Sequence, residues 1–421
     1  MRLIMPANPA KILFVHYGEQ VYRGSEVCLI NLIANLDRNC FEPVLWCNSP
    51  EIAAVGKSHN IEVIRSDFSL LLGWQAPRFN VKAFWQQVRQ GQQIIKQHNI
   101  DLVHCNSAAP TQWMVAACRL TDIPLLSHLH SSYPLRDRIT LGLHAANKVV
   151  CVNNEIKKQL TDDGMPDERI SVIANGLDMD KLQRIFPIDV RQQLKLQYDD
   201  ILLASTGYLT PVKGMDLCIE AVAELEHVHN IKAHLMLIGD GPEWDNLVTL
   251  ATKLGVKDRV HLMDSSDLVT SMLWDNADIY LSGSRQEAFG LAIAEAGVAN
   301  IPVVAPQVGG VPMIVKHEKT GLLYPAQNVK AMATQVARLV ENTQLRHHLA
   351  RALKQHVADN FTIDHYTQHF ASTYRQLIRQ QQQNKLKHDW SISLTPFKRL
   401  ASIAWRQFSH RLGNIQIKQD S

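Results

Sequence analysis

Short apolar runs alternate with amphipathic segments from one end of the chain to the other. Residues 11–16 (KILFVH) predict a strand, and 24–36 a helix. Residues 43–47, 101–105, 124–128, 148–152 and 170–173 predict five more strands, with helical stretches around each. Runs that are apolar on both faces are what a parallel sheet covered by helices on either side requires. After Asp178 the rhythm breaks, and the polar stretch 180–200, with Pro187 inside it, reads as a linker. The alternation then restarts. Strands are expected at 201–206, 232–238, 260–263, 279–282, 303–305 and 321–324, and helices at 215–225, 243–254 and 291–298. Residues 328–340, 344–359 and 363–382 are helical in pattern, and 384–421 falls outside it.

Two successive alternating blocks predict an α/β protein of two Rossmann-like, doubly wound domains facing a cleft. The expected division is 1–180, 181–360, a C-terminal helix at 361–383 packing back on the body, and a tail at 384–421. A length of 421 residues allows each domain its own core. Ligands of open parallel sheets sit outside the carboxyl ends of the strands, so the loops after strands are where chemistry belongs.

Charge is unevenly placed. The whole chain carries +3, yet the tail from Asn384 holds four Lys and three Arg against two Asp, which leaves the rest at −2. That balance points away from a nucleic-acid partner and toward a specialised tail. The seven cysteines form no C-x-x-C pair and lie mostly among apolar residues, as reduced core cysteines of a cytoplasmic protein do. The first residues are too short and too broken by proline for a signal peptide, and no stretch reaches the apolar length of a membrane span.

The richest loop follows the strand at 279–282. It reads Ser284-Arg285-Gln286-Glu287-Ala288-Phe289-Gly290-Leu291, with Glu295 further along the helix that Gly290 opens. Free N–H groups at a helix start suit a diphosphate. Glu295 is surrounded by Ala, Ile, Gly and Val, so its carboxylate calls for hydrogen-bonding partners such as ligand hydroxyls. Without context, Glu287 and Glu295 read equally well as ordinary helix carboxylates. The loop from Gly207 through Tyr208 to Lys213-Gly214 follows the first strand of the second block. Gly239-Asp240-Gly241-Pro242 follows the next, and Gly309-Gly310 a later one.

These segments, taken in order with Asn175-Gly176-Leu177-Asp178, Pro302-Val303-Val304-Ala305 and Thr320-Gly321-Leu322-Leu323, resemble glycosyltransferase family 4. Its members are retaining enzymes of GT-B fold, also described as glycosyl transferases group 1. The first block resembles it more thinly, through Gly24-Ser25-Glu26 and His130. The resemblance implies that Glu295 binds ribose hydroxyls, Lys213 the diphosphate and Glu287 the donor sugar. Gly207, Tyr208, Gly241 and Arg285, with the amides of Phe289, Gly290 and Leu291, would border the donor. Gly24 and Ser25 would border acceptor and phosphates, and His130 the transferred sugar. Glu287, His130 and Lys213 are then the catalytic candidates. Where the family usually has Arg after the glycine of the first loop, Tyr208 stands here. Arg23, Asn300 and Met313 are further departures.

The reaction implied is transfer of a hexosyl group from a nucleoside-diphosphate sugar to a glycan or lipid-linked acceptor, with no metal and no other cofactor. Two other readings stay open: a sugar-nucleotide 2-epimerase of the same fold, and a non-catalytic glycan-binding member. Asp178-Met179-Asp180 has the form of a D-x-D metal motif, but it falls at the expected linker, away from the donor loops. No G-x-S-x-G elbow supports a hydrolase. In the tail, Phe397, Leu400, Ala401, Ala404, Trp405, Phe408 and Leu412 would share one helix face, with Lys398, Arg399 and Arg406 on the flank and opposite side. Residues 396–412 thus predict either an interfacial anchor on an anionic membrane, at the inner face of the cytoplasmic membrane, or a last helix packed on the body with its arginines solvated.

Overall fold

The computed structural model describes residues 8–18, 23–72, 79–183 and 186–383. The expected anchor at 396–412 lies outside them. The chain divides into two compact units, one of Met1–Ile173 with Thr367–Ser421, the other of Ala174–Tyr366.

The strands of unit one are β1 (Ala10–His16), β2 (Phe41–Cys47), β3 (Glu62–Arg65), β4 (Leu102–Asn106), β5 (Leu125–Leu129), β6 (Lys148–Cys151) and β7 (Ile170–Val172). They pair in parallel in the order β3-β2-β1-β4-β5-β6-β7. Ile12, Leu13, Phe14 and Val15 are all fully buried, as central parallel strands demand. β3 had no signal in the apolar pattern, because it is an edge strand whose EVIR run is exposed at both ends. The last helix, Ile363–Gln382, brings Phe370 and Tyr374 into this unit. Phe370 stacks on His104 with ring centres 5.2 Å apart, and the Tyr374 hydroxyl lies 2.6 Å from His104 Nδ1.

Unit two has β8 (Ile201–Thr206), β9 (Ala233–Ile238), β10 (Val260–Met263), β11 (Ile279–Leu281), β12 (Val303–Pro306) and β13 (Leu322–Tyr324), parallel in the order β10-β9-β8-β11-β12-β13. The pleat sorts its residues to two cores. Leu203, Leu235, Leu237, Ile279 and Leu281 face one, under helices Met215–His229 and Val329–Glu341. Leu202, Ala204, Met236, Ile238 and Tyr280 face the other, under helix Leu291–Val298. Each large aliphatic side chain so buried contributes about 1.5–3 kcal/mol.

The described residues of the linker expected at 180–200 pack onto unit two. Helices Met179–Leu182 and Val190–Gln193 lie within it, Val190 is fully buried, and Leu194 and Leu196 pack on the same core. Arg191 donates to the Asn276 carbonyl at 2.9 Å and to Asp278 at 2.6 Å. Its few apolar positions are scattered among charges, so no periodicity showed in the sequence. Accordingly the units part after Ile173 rather than after Asp180.

All seven cysteines are buried and none is in a disulfide. Burial pushes the Cys151 and Cys218 thiols up to about 12. Among the described residues no helix is long and apolar enough to cross a membrane, and no three His, Cys, Asp or Glu side chains gather as a metal site.

Candidate donor and sugar sites

In unit two the strand order reverses between β8 and β11, because later strands add on opposite sides of them. Loops leaving the carboxyl ends of two such strands diverge and open the crevice where ligands of this architecture sit. Most of the sequence-predicted donor residues are carried by these loops, with Gly241 on the loop after β9 and Glu295 in helix Leu291–Val298. Lys213, on the loop after β8, places Nζ 2.6 Å from Glu287 Oε2, on the loop after β11. Ser284 Oγ donates to the same oxygen at 3.3 Å. A cation and a carboxylate 74 residues apart therefore meet at the switch point, with Lys213 one third exposed. Ser205, Thr206, Tyr280 and Gly290 complete a small recess with them.

Two glycine contacts hold this meeting in register. Gly214 has φ +61°, and a Cβ there would sit 1.9 Å from the Gly283 carbonyl oxygen. Gly309 has φ +49°, and a Cβ would sit 1.9 Å from the Glu287 carbonyl oxygen. That same oxygen accepts the Gly310 amide at 2.9 Å. The backbone of Glu287 is thus pressed from the β12 side while its loop is clamped from the β8 side.

Gly290 precedes helix Leu291–Val298, whose second turn carries Glu295. Burial raises the Glu295 carboxyl above the ordinary carboxylate range, with Lys181 pulling the other way. Phe289 is 2 % exposed and meets Phe361 edge to face, so only its backbone is available to a ligand. Gly207, Gly241, Tyr208 and Leu291 lie on or beside the same loops, with Tyr208 part-buried. The Leu209 amide donates to the Asp240 carbonyl at 2.7 Å and ties the Gly207 loop to the Gly241 loop.

Arg285, expected to border the donor, is engaged by Asp216. Its guanidinium forks onto Asp216 at 2.8 and 2.6 Å and also donates to the Pro211 carbonyl at 2.6 Å. Burial alone would raise Asp216, but Arg285 outweighs it and the carboxyl lies below its usual range. Arg285 therefore braces the Lys213 loop from outside. A wider hollow of unit two, bordered by Tyr198, Trp274 and Asp278, opens beside the first residue of β8. It is at the amino ends of the strands and holds none of these groups.

In unit one the strand order reverses between β1 and β4. Gly24 and Ser25 begin helix Gly24–Ala34, which starts at that crevice. Ser25 Oγ donates to Glu26 Oε2 at 2.9 Å. His130, after β5, lies 2.8 Å through Nε2 from Asn106 Oδ1. Burial, then His16, lowers His130 to about 4 against the pull of Glu26. The sequence reading named Gly24, Ser25 and His130 but not His16 or Asn106. Both are last residues of strands flanking the reversal, which is the signal that would have found them.

Comparison with known proteins agrees with these two sheets. A glycosyltransferase from Rickettsia africae superposes with a TM-score of 0.75 at 19 % identity, over 88 % of this chain and 99 % of its own. HepE of Anabaena, solved with UDP, superposes with a TM-score of 0.72 at 23 % identity, over 87 % and 100 %. The architecture is therefore that of a GT-B glycosyltransferase. Two family models match in succession: Glycosyltransferase Family 4 over residues 22–181 and Glycosyl transferases group 1 over 188–356. The chain belongs to glycosyltransferase family 4. Among relatives, N-acetyl-alpha-D-glucosaminyl L-malate synthase of Bacillus anthracis is 24 % identical over 312 residues, 70 % of this chain and 79 % of that one. D-inositol 3-phosphate glycosyltransferase of Mycobacterium tuberculosis is 30 % identical over 242 residues, 55 % of this chain and 48 % of that one.

Proposed function

We propose that the protein is a retaining, metal-independent hexosyltransferase that takes sugar from a nucleoside-diphosphate donor and passes it to a glycan or lipid-linked acceptor in the cytoplasm. The observation that carries this reading is the Lys213–Glu287 pair at 2.6 Å on the switch point of unit two. The two charges satisfy each other. A diphosphate gives Lys213 a second partner, and Glu287 is then released toward the hydroxyls of the sugar. Glu295 accepts from the ribose hydroxyls. Lys213 and the amides at Gly290 and Leu291 meet the charge that develops on the leaving diphosphate, which is the task a metal performs in other transferases.

The bond from the anomeric carbon to the phosphate oxygen breaks, and the bond to the acceptor oxygen forms on the same face. The acceptor's hydroxyl proton passes to the departing phosphate. His130 serves the sugar being moved. Uridine nucleotides are the first donors to try, since HepE of Anabaena was solved with UDP and with UDP-glucose.

Titration calorimetry with UDP and a panel of UDP-sugars, beside product analysis by anomeric proton NMR, tests the reading. Lys213→Ala is expected to weaken nucleotide binding about tenfold or more, the worth of one charge-assisted bond. Chelator is expected to change nothing. Wild-type affinity in Lys213→Ala, an inverted anomeric centre, or epimerised donor without transfer each overturns it.

A further inference from the structure

His16 and Asn106 are register partners, the last residues of β1 and β4, so they stand side by side at the switch point of unit one. Both are buried, as is Glu26. Four side chains run from there in a line. Glu26 Oε1 is 3.1 Å from His16 Nε2, His16 Nδ1 is 3.0 Å from Asn106 Nδ2, and Asn106 Oδ1 is 2.8 Å from His130 Nε2.

The line has a direction, and one backbone atom decides it. Asn106 Nδ2 also reaches the Ser25 carbonyl oxygen at 3.4 Å, an atom that only accepts. The amide nitrogen therefore faces Ser25 and His16, and the amide oxygen faces His130. An amide oxygen accepts, so His130 must hold its proton on Nε2. His16 must accept at Nδ1, so its own proton is on Nε2, which lies 3.1 Å from Glu26 Oε1. Glu26 closes the line by accepting from Ser25 Oγ and from the Arg23 amide at 3.2 Å. The reverse tautomer of His130 would set a ring lone pair against the amide oxygen. With its proton on Nε2, the buried Nδ1 keeps a lone pair that has no hydrogen-bond partner among the described residues.

We propose that Glu26, His16 and Asn106 are positioning residues for glycosyl transfer, holding His130 as the neutral Nε2–H tautomer and tying it to the first turn of helix Gly24–Ala34. The role of His130 itself rests on the family-4 reading above. Burial keeps the ring neutral near pH 7, so a single tautomer is a meaningful state. The arrangement couples the loop at Gly24 and Ser25 to His130 through side chains alone. An apolar residue at 106 would fill the same space and support the sheet, but would leave His130 free to exchange tautomers and to rotate.

The test uses the full chain labelled with 15N in histidine, read by long-range 1H–15N spectra, with the His130 and His16 signals assigned from His130→Gln and His16→Gln. In the wild type both rings are expected as Nε2–H with unprotonated Nδ1. Asn106→Leu is expected to bring His130 into tautomer exchange and to lower kcat about tenfold, the worth of one or two net hydrogen bonds. Its affinity for UDP, held by unit two, stays at the wild-type value. Asn106→Asp keeps the acceptor for His130 but faces His16 with a second acceptor. It is expected to leave His130 protonated on Nε2 and to protonate His16 on Nδ1 as well as Nε2, between the two carboxylates, and it carries the test if the leucine variant does not fold. A wild-type His130 protonated on Nδ1, or wild-type kcat in Asn106→Leu, overturns the proposal. If the wild type transfers no sugar, the proposed function fails instead, and the tautomer spectra alone decide whether the line is built as argued.

Discussion

Glu295 occupies a position whose chemistry conflicts with its surroundings. A carboxylate raised by burial is least content when ionised, yet the ionised form is the better acceptor for ribose hydroxyls. The raised value means that the fold is less burdened below this pKa than above it, where the group is charged. Donor affinity should run the other way, level near neutrality and falling as pH drops through the raised value. Glu295→Gln is expected to flatten that acid limb and lower donor affinity about tenfold at pH 7. It should cost the unliganded protein no stability. Calorimetric titrations from pH 5 to 8, with melting curves alongside, check both signs. An unchanged acid limb, or a variant that melts well below the wild type, refutes the assignment.

Among the elements, the loop after β11 depends on the loop after β12. Gly309→Ala places a side chain in left-handed backbone, which costs about 1–2 kcal/mol, and drives its Cβ onto the Glu287 carbonyl. The expected result is a loss of stability in urea of at least that size together with weaker nucleotide binding, because Glu287 must shift away from Lys213. Loss of neither sinks the clamp. The two glycines of this contact were visible in the sequence as part of a motif, but their purpose was not, since it depends on a loop 22 residues away. The same reason separates what could be read from what could not. β8, β10 and helix Leu291–Val298 were legible to the residue because each is a local apolar pattern. β3 and the segment at 186–200 carry few apolar positions and take their order from tertiary contacts. Lys213 and Glu287 were legible by resemblance. His16 and Asn106 were not, because only sheet register brings together residues 90 apart in the chain.

At the scale of the whole molecule, the charge of the chain is concentrated in a tail of +5 after Gln383. Each Lys or Arg near an anionic leaflet contributes about 1 kcal/mol, and the apolar side chains of Phe397, Trp405 and Phe408 would add burial in the interface. We propose peripheral attachment through 396–412. Sedimentation with anionic vesicles at low salt is expected to pull down the full chain, and to leave in solution a chain ending at Gln383. Equal pelleting of both, or of neither, rules the anchor out.

The path of the chain between its two units has an outcome for biosynthesis. Unit two is one continuous stretch, Ala174–Tyr366, set inside unit one, whose final contribution begins at Thr367. A ribosome therefore releases all of unit two before it releases Phe370 and Tyr374. Until those two rings arrive, the face of Phe14 and His104 that they cover has no cap, and the histidine lacks its phenol partner. The second unit can finish folding while the first still waits on the last helix. A nascent chain that has emerged as far as Tyr366 would thus hold a complete unit two and an open unit one, with the exposed sheet face as the handle for a chaperone or a protease.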